Sequence, residues 1–329
     1  MKLKGKKVLV TGAGGFVGSH LIEALLKSDC QVKAFVHYNS RNNWGWLEDL
    51  NKNDLKNIQV VTGDLRDSDA VRKSVKGQDL IFHLGALIGI PYSYVNPADV
   101  VETNVKGTLN ILLAGLDSHI EKIIHTSTSE VYGTAQYIPI DEAHPINPQS
   151  PYAASKASAD YLAHSFHLSY DLPVAIIRPF NIYGPRQSAR SIIPNIIIQS
   201  LSGNMVKIGS PYPTRDFTFV SEAVEGFIRL AECDEAVGEV VNLGFGNEVS
   251  VEQLMKLISR KIGKKLVIKR EKERIRPKKS EVERLICDST KAKRLFGWNP
   301  KIGIDEGIGK TIDWFKKHLS KYKAQVYNI

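Results

Sequence analysis

Two short stretches concentrate reactive side chains. The first is Thr126-Ser127-Thr128-Ser129-Glu130-Val131-Tyr132-Gly133, and the second is Tyr152-Ala153-Ala154-Ser155-Lys156. Together they carry hydroxyls, a carboxylate, a phenol and an ammonium. Tyr152 and Lys156 are four residues apart, so on a helix both side chains share a face. A free phenol ionises near ~10. A neighbouring ammonium favours the phenolate, which makes Tyr152 a usable base at neutral pH. Thr128 would share a substrate hydroxyl with it. Glu130 stands where a second proton can be removed or returned. These groups suit oxidation of an alcohol, followed by proton transfer at the neighbouring carbon.

Such an oxidation needs a hydride acceptor, and the start of the chain supplies a place for one. Gly12-Ala13-Gly14-Gly15-Phe16-Val17-Gly18 follows the apolar run Lys7–Thr11 and opens a helical pattern, Phe16–Lys27. Gly12 allows the tight turn, Gly15 lets the backbone approach a pyrophosphate, and Gly18 lets the helix sit close to the sheet. The helix N-terminus would face the phosphates with free N–H groups and the positive end of its dipole. A dinucleotide is therefore the expected cofactor. After the second strand the chain reads Phe35-Val36-His37-Tyr38-Asn39-Ser40-Arg41, with no acid for a ribose 2′-hydroxyl. Asn39 or Ser40 could bond the ribose of NAD; Arg41 could instead grip the 2′-phosphate of NADP. NAD is the expected form, with NADP left open. Asp64-Leu65 is placed for the adenine and Leu84-Gly85-Ala86 for the cofactor's ribose. Lys156 can also hold the nicotinamide ribose.

The elements that must position these residues follow from hydrophobic rhythm. Lys7–Thr11, Val32–His37, Ile58–Thr62, Leu80–His83, Lys122–Thr126 and Val174–Arg178 read as strands, mostly continuous apolar runs of the kind buried on both faces in parallel sheets. They alternate with helical patterns, which predicts an α/β fold with a doubly wound parallel sheet of the Rossmann type. Ala98–Leu116 and Tyr152–Tyr170 read as long helices, which cover the sheet and could also form the face of a homodimer. After Pro179 the rhythm becomes irregular, with proline and glycine clustered in 179–185 and 209–213. Val240–Leu243 reads as a further strand; Val251–Ile262, Ser289–Phe296 and Ile304–His318 read as helices. The expected division is a dinucleotide-binding domain at 1–178 with a return at about 217–245, and a smaller α/β substrate lobe from 179–216 and 246–329.

Composition excludes several classes. The 329 residues, 43% of them apolar, suffice for a large core or two joined lobes. No apolar run approaches the roughly 20 residues that span a bilayer, and the basic N-terminus leads into a short buried strand rather than a signal peptide. Cys30, Cys233 and Cys287 are far apart and read as reduced thiols of a cytoplasmic protein. The nine histidines form no HxxxH or HxH pattern, so no metal is expected. The net charge of +9 gathers in Lys256–Lys279 and Lys316–Lys323. No aromatic residues interleave the first of these runs, and no nucleic-acid motif is present, so they read as solvated faces with a few arginines for a diphosphate, not as a nucleic-acid surface.

Thr11-Gly12-x-x-Gly15-x-x-Gly18, Ser127–Gly133, Tyr152-x-x-x-Lys156 and Arg178-Pro179-Phe180-Asn181-x-Tyr183-Gly184-Pro185 together resemble the extended short-chain dehydrogenase/reductase superfamily over essentially the whole chain. Its members are nucleotide-sugar epimerases, dehydratases and decarboxylases. Tyr38-Asn39-Ser40, Trp44-Gly45-Trp46-Leu47, His125–Tyr137 and Arg276–Leu285 are similar to the UDP-N-acetylglucosamine 4,6-dehydratase-like enzymes that make precursors of legionaminic and pseudaminic acids. The resemblance implies a UDP-linked sugar substrate. It places Asn181, Arg190, Arg215 and Arg276 at the nucleotide-sugar diphosphate, with Ile88 beside the substrate. It adds Phe16, Val17, His37, Tyr38, Pro179 and Ile182 to the cofactor contacts. Arginine suits a diphosphate because its planar fork matches phosphate oxygens and stays charged.

In the chemistry this implies, Tyr152 takes the proton of the sugar C4 hydroxyl, and the C4 ketone acidifies the C5 hydrogen for Glu130. Ser129 departs from the pattern of many 4,6-dehydratases, which carry an aspartic acid there to protonate the departing C6 hydroxyl. Three reactions share such a site: dehydration of UDP-N-acetylglucosamine with Ser129 or water relaying the proton; C4 oxidation, 5,6-reduction and C5 epimerisation of a 5,6-ene sugar; and decarboxylation or 4-epimerisation of a glucuronate.

Overall fold

Short β-branched runs nucleate the centre of the molecule. A computed structural model describes residues 1–323 and 326. Its strands in chain order are β1 (Lys7–Thr11), β2 (Gln31–His37), β3 (Ile58–Gly63), β4 (Leu80–His83), β5 (Lys122–Thr126), β6 (Val174–Pro179), β7 (Asn181–Tyr183), β8 (Met205–Ile208), β9 (Thr214–Phe219), β10 (Val240–Leu243), β11 (Glu248–Ser250) and β12 (Val267–Arg270). Seven of them form one parallel sheet in the order β10-β6-β5-β4-β1-β2-β3. This is the expected Rossmann-type sheet flanked by helices. Leu9, Ile81, Phe82, Ile123, Ile124 and Ile177 are fully enclosed at its centre, and transfer of such side chains from water is the main force holding the layers.

The winding reverses between β1 and β4. In open α/β sheets the crevice beyond the carboxyl ends of the strands at this point is where ligands bind. The ends of β1, β4 and β5 lead directly into the glycine loop, Leu84–Ala86 and Ser127–Glu130. The remaining strands form a three-stranded sheet, β11-β9-β7, and a two-stranded one, β12-β8. Helices Val251–Ile262 and Ile304–His318 pack beside them, the first opened by a capping box in which Ser250 and Gln253 bond each other's backbone N–H. No described helix is long and apolar enough to cross a membrane. Of the segment 246–329, residues 324, 325 and 327–329 lie outside the described residues.

One helix differs from its expected form. Ala98–Leu116 is not a regular helix: Pro97–Val101 and Gly107–Asp117 are α-helical, but Glu102–Lys106 forms a wider π turn. The wide turn carries the fully buried Asn104. Its Nδ2 donates to Leu87 O at 2.9 Å and to Ser155 Oγ at 2.9 Å, and its Oδ1 accepts from Leu87 N at 2.7 Å. The amide thereby ties the segment after β4 to the helix that carries Tyr152.

Candidate active site

The glycine loop is shaped by contacts that a side chain would fill. Gly12 has φ +67°, and a Cβ there would lie 2.9 Å from Gly85 N; a Cβ on Gly18 would lie 2.3 Å from Gly12 O. The helix Phe16–Lys27 starts with no side-chain cap and no acid in its first turn. Its leading N–H groups therefore face the crevice without a protein anion, which fits a dinucleotide pyrophosphate. The segment after β2 lies against this loop, with Trp46 N donating to Gly14 O at 2.9 Å. Trp46 in turn packs edge-on against Trp314 of the last long helix. This bracing was not apparent from the sequence, although Gly45 (φ +65°) marks the turn that permits it.

The other cofactor candidates differ in exposure. Phe16, Val17, Leu84, Ala86, Pro179 and Ile182 are half-buried, Leu65 is buried, and His37, Tyr38, Asn39 and Arg41 are exposed. Asn39 already uses its amide in its own turn, accepting from Arg41 N and Asn43 N and donating to Asn43 O at 2.7 Å. Arg66 grips Asp64 through several N–H groups, and this holds the Asp64 carboxyl down at about 2. Asp64 is therefore a carboxylate at every physiological pH.

The reactive groups converge at the end of β5. The β-strand stops at Thr126, and a short 3-10 turn, Ser129–Tyr132, begins with the Thr128 hydroxyl accepting from Glu130 N at 3.2 Å. The helix Pro151–Tyr170 is capped by Ser150, whose side chain accepts from Ala153 N, and presents Tyr152 and Lys156 on its inner face. Thr128, Ser129, Glu130, Tyr152 and Lys156 are all buried. Burial pushes the Tyr152 phenol well up; the hydrogen bond with Thr128 opposes this, while Glu130 and Asp160 add to it. Burial pulls the Lys156 ammonium down to about 8, with Asp160 opposing. In the free protein the phenol is thus protonated, and a cation brought beside it would draw its ionisation down.

The Lys156 value predicts a pH effect with a definite sign. Its folded pKa lies below the 10.5 of an unfolded lysine. Between about 8 and 10.5 the unfolded chain binds more protons, so stability rises with pH across that window. Wild type should gain on Lys156→Met in melting temperature as pH is raised from about 7.5 to about 9.5. A gap that stays constant would mean the lysine titrates normally.

A buried polar network supports these groups. Asp160, one turn after Lys156, accepts from Ser127 Oγ at 2.7 Å and Arg178 Nε at 3.0 Å. His125 Nε2 lies 3.3 Å from the other carboxylate oxygen but off-axis, an electrostatic contact rather than a hydrogen bond. Burial pushes the Asp160 carboxyl up, yet His125, Arg178 and Ser127 outweigh it and the net direction is down. Breaking such a buried pair by removing one partner costs about 3–5 kcal/mol. Arg178 continues to Tyr132 OH at 3.0 Å, and Tyr132 donates to Asn242 Oδ1 at 2.8 Å, joining the turn after β5 to β6 and β10. Asp160 carried no sequence signal beyond its four-residue offset from Lys156.

The candidate substrate residues separate into two groups. Arg215 on β9 is buried beside Glu130, Nε to Oε1 3.7 Å, and Glu281 bridges it at 3.6 Å to Arg276 at 3.4 Å. Asn181 opens β7, paired in register with Phe217, and its buried Oδ1 has no partner among the described residues. Ile88 and Arg190 are both exposed. Arg190 Nη1 lies 3.5 Å from where a Cβ on Gly89 would stand, which brings it to the segment that carries Ile88. Glu281 was not among the residues singled out from the sequence; nothing in Ser280-Glu281-Val282 signals that it meets Arg215.

Comparisons with known proteins agree with this architecture. Residues 9–311 match the family model described as GDP-mannose 4,6 dehydratase. The chain is 32% identical over 326 residues to human dTDP-D-glucose 4,6-dehydratase, covering 97% of this chain and 92% of that protein. The solved UDP-glucuronic acid 4-epimerase of Bacillus cereus, in complex with UDP-glucuronic acid and NAD, superposes with a TM-score of 0.86 at 29% identity, covering 95% and 99% of the two chains. The UDP-N-acetylglucosamine 4-epimerase of Methanobrevibacter ruminantium M1, in complex with UDP-N-acetylmuramic acid, gives 0.85 at 31% identity, covering 96% and 99%. Sheet order, glycine loop and matched length lead to one conclusion: the chain belongs to the GDP-mannose 4,6-dehydratase-like family of extended short-chain dehydrogenases/reductases, the nucleotide-sugar epimerases and dehydratases.

Proposed function

We propose that this protein is an NAD-dependent enzyme that oxidises C4 of a UDP-N-acetylhexosamine transiently and then acts at C5 and C6, in the manner of a 4,6-dehydratase serving surface-glycan or nonulosonic acid synthesis. The observation that carries this reading is the burial of Glu130 in the pocket of Thr128 and Tyr152. A carboxylate enclosed beside the redox pair is in excess of what oxidation at C4 needs, and it suits proton transfer at C5.

Gly12, Gly15, Phe16, Val17 and Gly18 would hold the pyrophosphate, with Asp64, Leu65, Leu84 and Ala86 along the adenosine. Lys156 would hold the nicotinamide ribose. Bound NAD would accept the hydride from C4 and return it at C6 once the C6 oxygen has left, with a proton added at C5. Tyr152 removes the C4 hydroxyl proton, oriented by Thr128. The resulting ketone lowers the C5–H pKa, and Glu130 removes that proton. Ser129 or a water passes a proton to the departing C6 oxygen. Arg215, Arg276 and Asn181 bind the diphosphate, while Ile88 and Arg190 close the rim.

Ser129 supports a second reading. A hydroxyl is a weak acid, so a substrate that has already lost its C6 oxygen, a 5,6-ene, would suit this pocket. The enzyme would then combine C4 oxidation, 5,6-reduction and C5 epimerisation. Decarboxylation or 4-epimerisation of a glucuronate are the remaining outcomes. The test is a proton NMR time course of UDP-N-acetylglucosamine with protein and NAD in heavy water. A new C6 methyl signal with deuterium at C5 is expected. Inversion at C4 with C6 intact would replace the reading by a 4-epimerase, and no turnover would move it to the 5,6-ene.

The helices around residues 97–117 and 151–170 are proposed to pair across a homodimer. Tyr161 and Leu168 support this, being 64% and 68% exposed on the second of them. Light scattering at the mass of one chain would refute it.

A further inference from the structure

We propose that His83 is a positioning residue: its two ring nitrogens join the cofactor loop to the helix that carries Tyr152. This rests on the reading of Tyr152 as the base for C4 oxidation, and it adds how that helix is held in step with the dinucleotide site.

β4 is apolar until its last residue. Leu80, Ile81 and Phe82 pack into the core, and a buried imidazole then closes the strand at the crevice. Burying such a group costs free energy unless its nitrogens find partners. Here both do. Nδ1 lies 2.8 Å from Thr11 Oγ1, and Nε2 lies 3.1 Å from Thr108 Oγ1. His125, its register neighbour on β5, differs: neither ring nitrogen has a hydrogen-bond partner among the described residues.

The surrounding bonds fix which nitrogen carries the proton. Thr108 gives its one hydroxyl proton to Asn104 O, at 2.6 Å, so toward His83 it can only accept, from Nε2–H. Thr11 Oγ1 accepts from Gly85 N at 3.0 Å, which leaves its own proton for Nδ1. Burial disfavours a second proton on the ring, and the nearby His125 and Lys156 add to this. The imidazole is therefore neutral, with its proton on Nε2.

Each nitrogen leads to a working part. Thr11 directly precedes Gly12, and Gly85 N is the atom that a Cβ on Gly12 would meet at 2.9 Å. On the other side, Asn104 Nδ2 donates to Ser155 Oγ at 2.9 Å, and Ser155 Oγ donates to Tyr152 O at 2.7 Å. The row runs from the glycine turn through the end of β4 and the π turn to the first turn of the helix that carries Tyr152. Thr11, His83, Thr108, Asn104 and Ser155 are all buried. A buried donor or acceptor left unmet is costly at every step, so a shift at one end is passed along rather than absorbed.

Two substitutions cut the row on opposite sides of the ring. Asparagine keeps an acceptor near the Nδ1 position, and glutamine keeps a donor near the Nε2 position. NAD affinity is measured by calorimetry. Single-turnover reduction of NAD by UDP-N-acetylglucosamine is followed by absorbance at saturating NAD. His83→Asn should lower the reduction rate about tenfold and hold NAD affinity within about twofold, the loss being that of one buried hydrogen bond. His83→Gln should weaken NAD about tenfold for the same reason, with the smaller fall in rate. Thr108→Val should follow His83→Asn, and Thr11→Val should follow His83→Gln, which tests the row without altering the imidazole. Losses that move together in both histidine variants, or no loss in either, overturn the proposal, because a residue that only fills the sheet has no sidedness. Failure of the C4 reading with this sugar looks different: wild type binds NAD and shows no absorbance change. Hydrogen exchange of the NAD-loaded proteins then reads the joint directly. Amides of residues 152–156 should exchange faster in His83→Asn and Thr108→Val while those of residues 12–18 do not, and an equal change in both segments overturns the proposal.

Discussion

Tyr152→Phe is expected to abolish C4 oxidation, lowering the rate by about 10²- to 10⁴-fold, the usual worth of a positioned general base. The substitution removes one oxygen and leaves the ring, so packing around the Pro151–Tyr170 helix is retained. What is lost is the oxygen that bonds Thr128 and that, in the proposed reaction, accepts the substrate proton. The phenol is costly to ionise in the free protein because it is enclosed. The Lys156 ammonium and an oxidised nicotinamide would supply the positive charge that offsets this. Single-turnover absorbance of the nicotinamide, with UDP-N-acetylglucosamine in excess, is the measurement. Reduction at an undiminished rate would show that the C4 proton leaves by another route. UDP binding should be unchanged, which separates lost chemistry from lost recognition.

Glu130→Gln should produce the complementary defect. Nicotinamide reduction persists, because Tyr152, Thr128 and Lys156 are intact. Exchange of the C5 hydrogen with solvent falls by about 10²- to 10⁴-fold, since the amide keeps the shape of the side chain but cannot take a proton. The reduced cofactor and keto sugar should then accumulate. Arg215 loses one of its two nearby carboxylates but keeps Glu281 at 3.6 Å, so the pocket is not left with a wholly uncompensated buried charge. Exchange is followed by deuterium incorporation. If C5 still exchanges at the wild-type rate, Glu130 is not the base, and its burial beside Arg215 is a matter of charge balance alone.

The two variants divide the reaction at the ketone. Tyr152→Phe stops before it and Glu130→Gln stops after it. A double variant should resemble Tyr152→Phe, because no acidified C5 hydrogen forms without the C4 step. Ser129→Ala offers a further distinction between the two substrates. A dehydratase using Ser129 as its relay would slow at C6 elimination, whereas an enzyme acting on a 5,6-ene has no C6 oxygen to expel.

Much of this molecule was legible along the chain because the deciding forces are local. Short, β-branched apolar runs such as Val8-Leu9-Val10 and Val174-Ala175-Ile176-Ile177 read as strands buried on both faces. Gly12 at φ +67° is a backbone requirement that its own turn imposes. The four-residue step from Tyr152 to Lys156 puts them on one helix face by helix geometry alone. Contacts between distant segments were not legible. The π turn at Glu102–Lys106 exists to aim Asn104 at Leu87 and Ser155, partners that no periodicity reveals. Asp160 meets Ser127 and Arg178 only because β5, β6 and the Pro151–Tyr170 helix pack together. Trp46 reaches Trp314, and Glu281 reaches Arg215, across most of the fold. Local sterics and side-chain period write the strands, the glycine turn and the helix faces into neighbouring residues. Which charges face one another in the pocket is decided by packing, where burial makes each unmet charge expensive enough to select its partner.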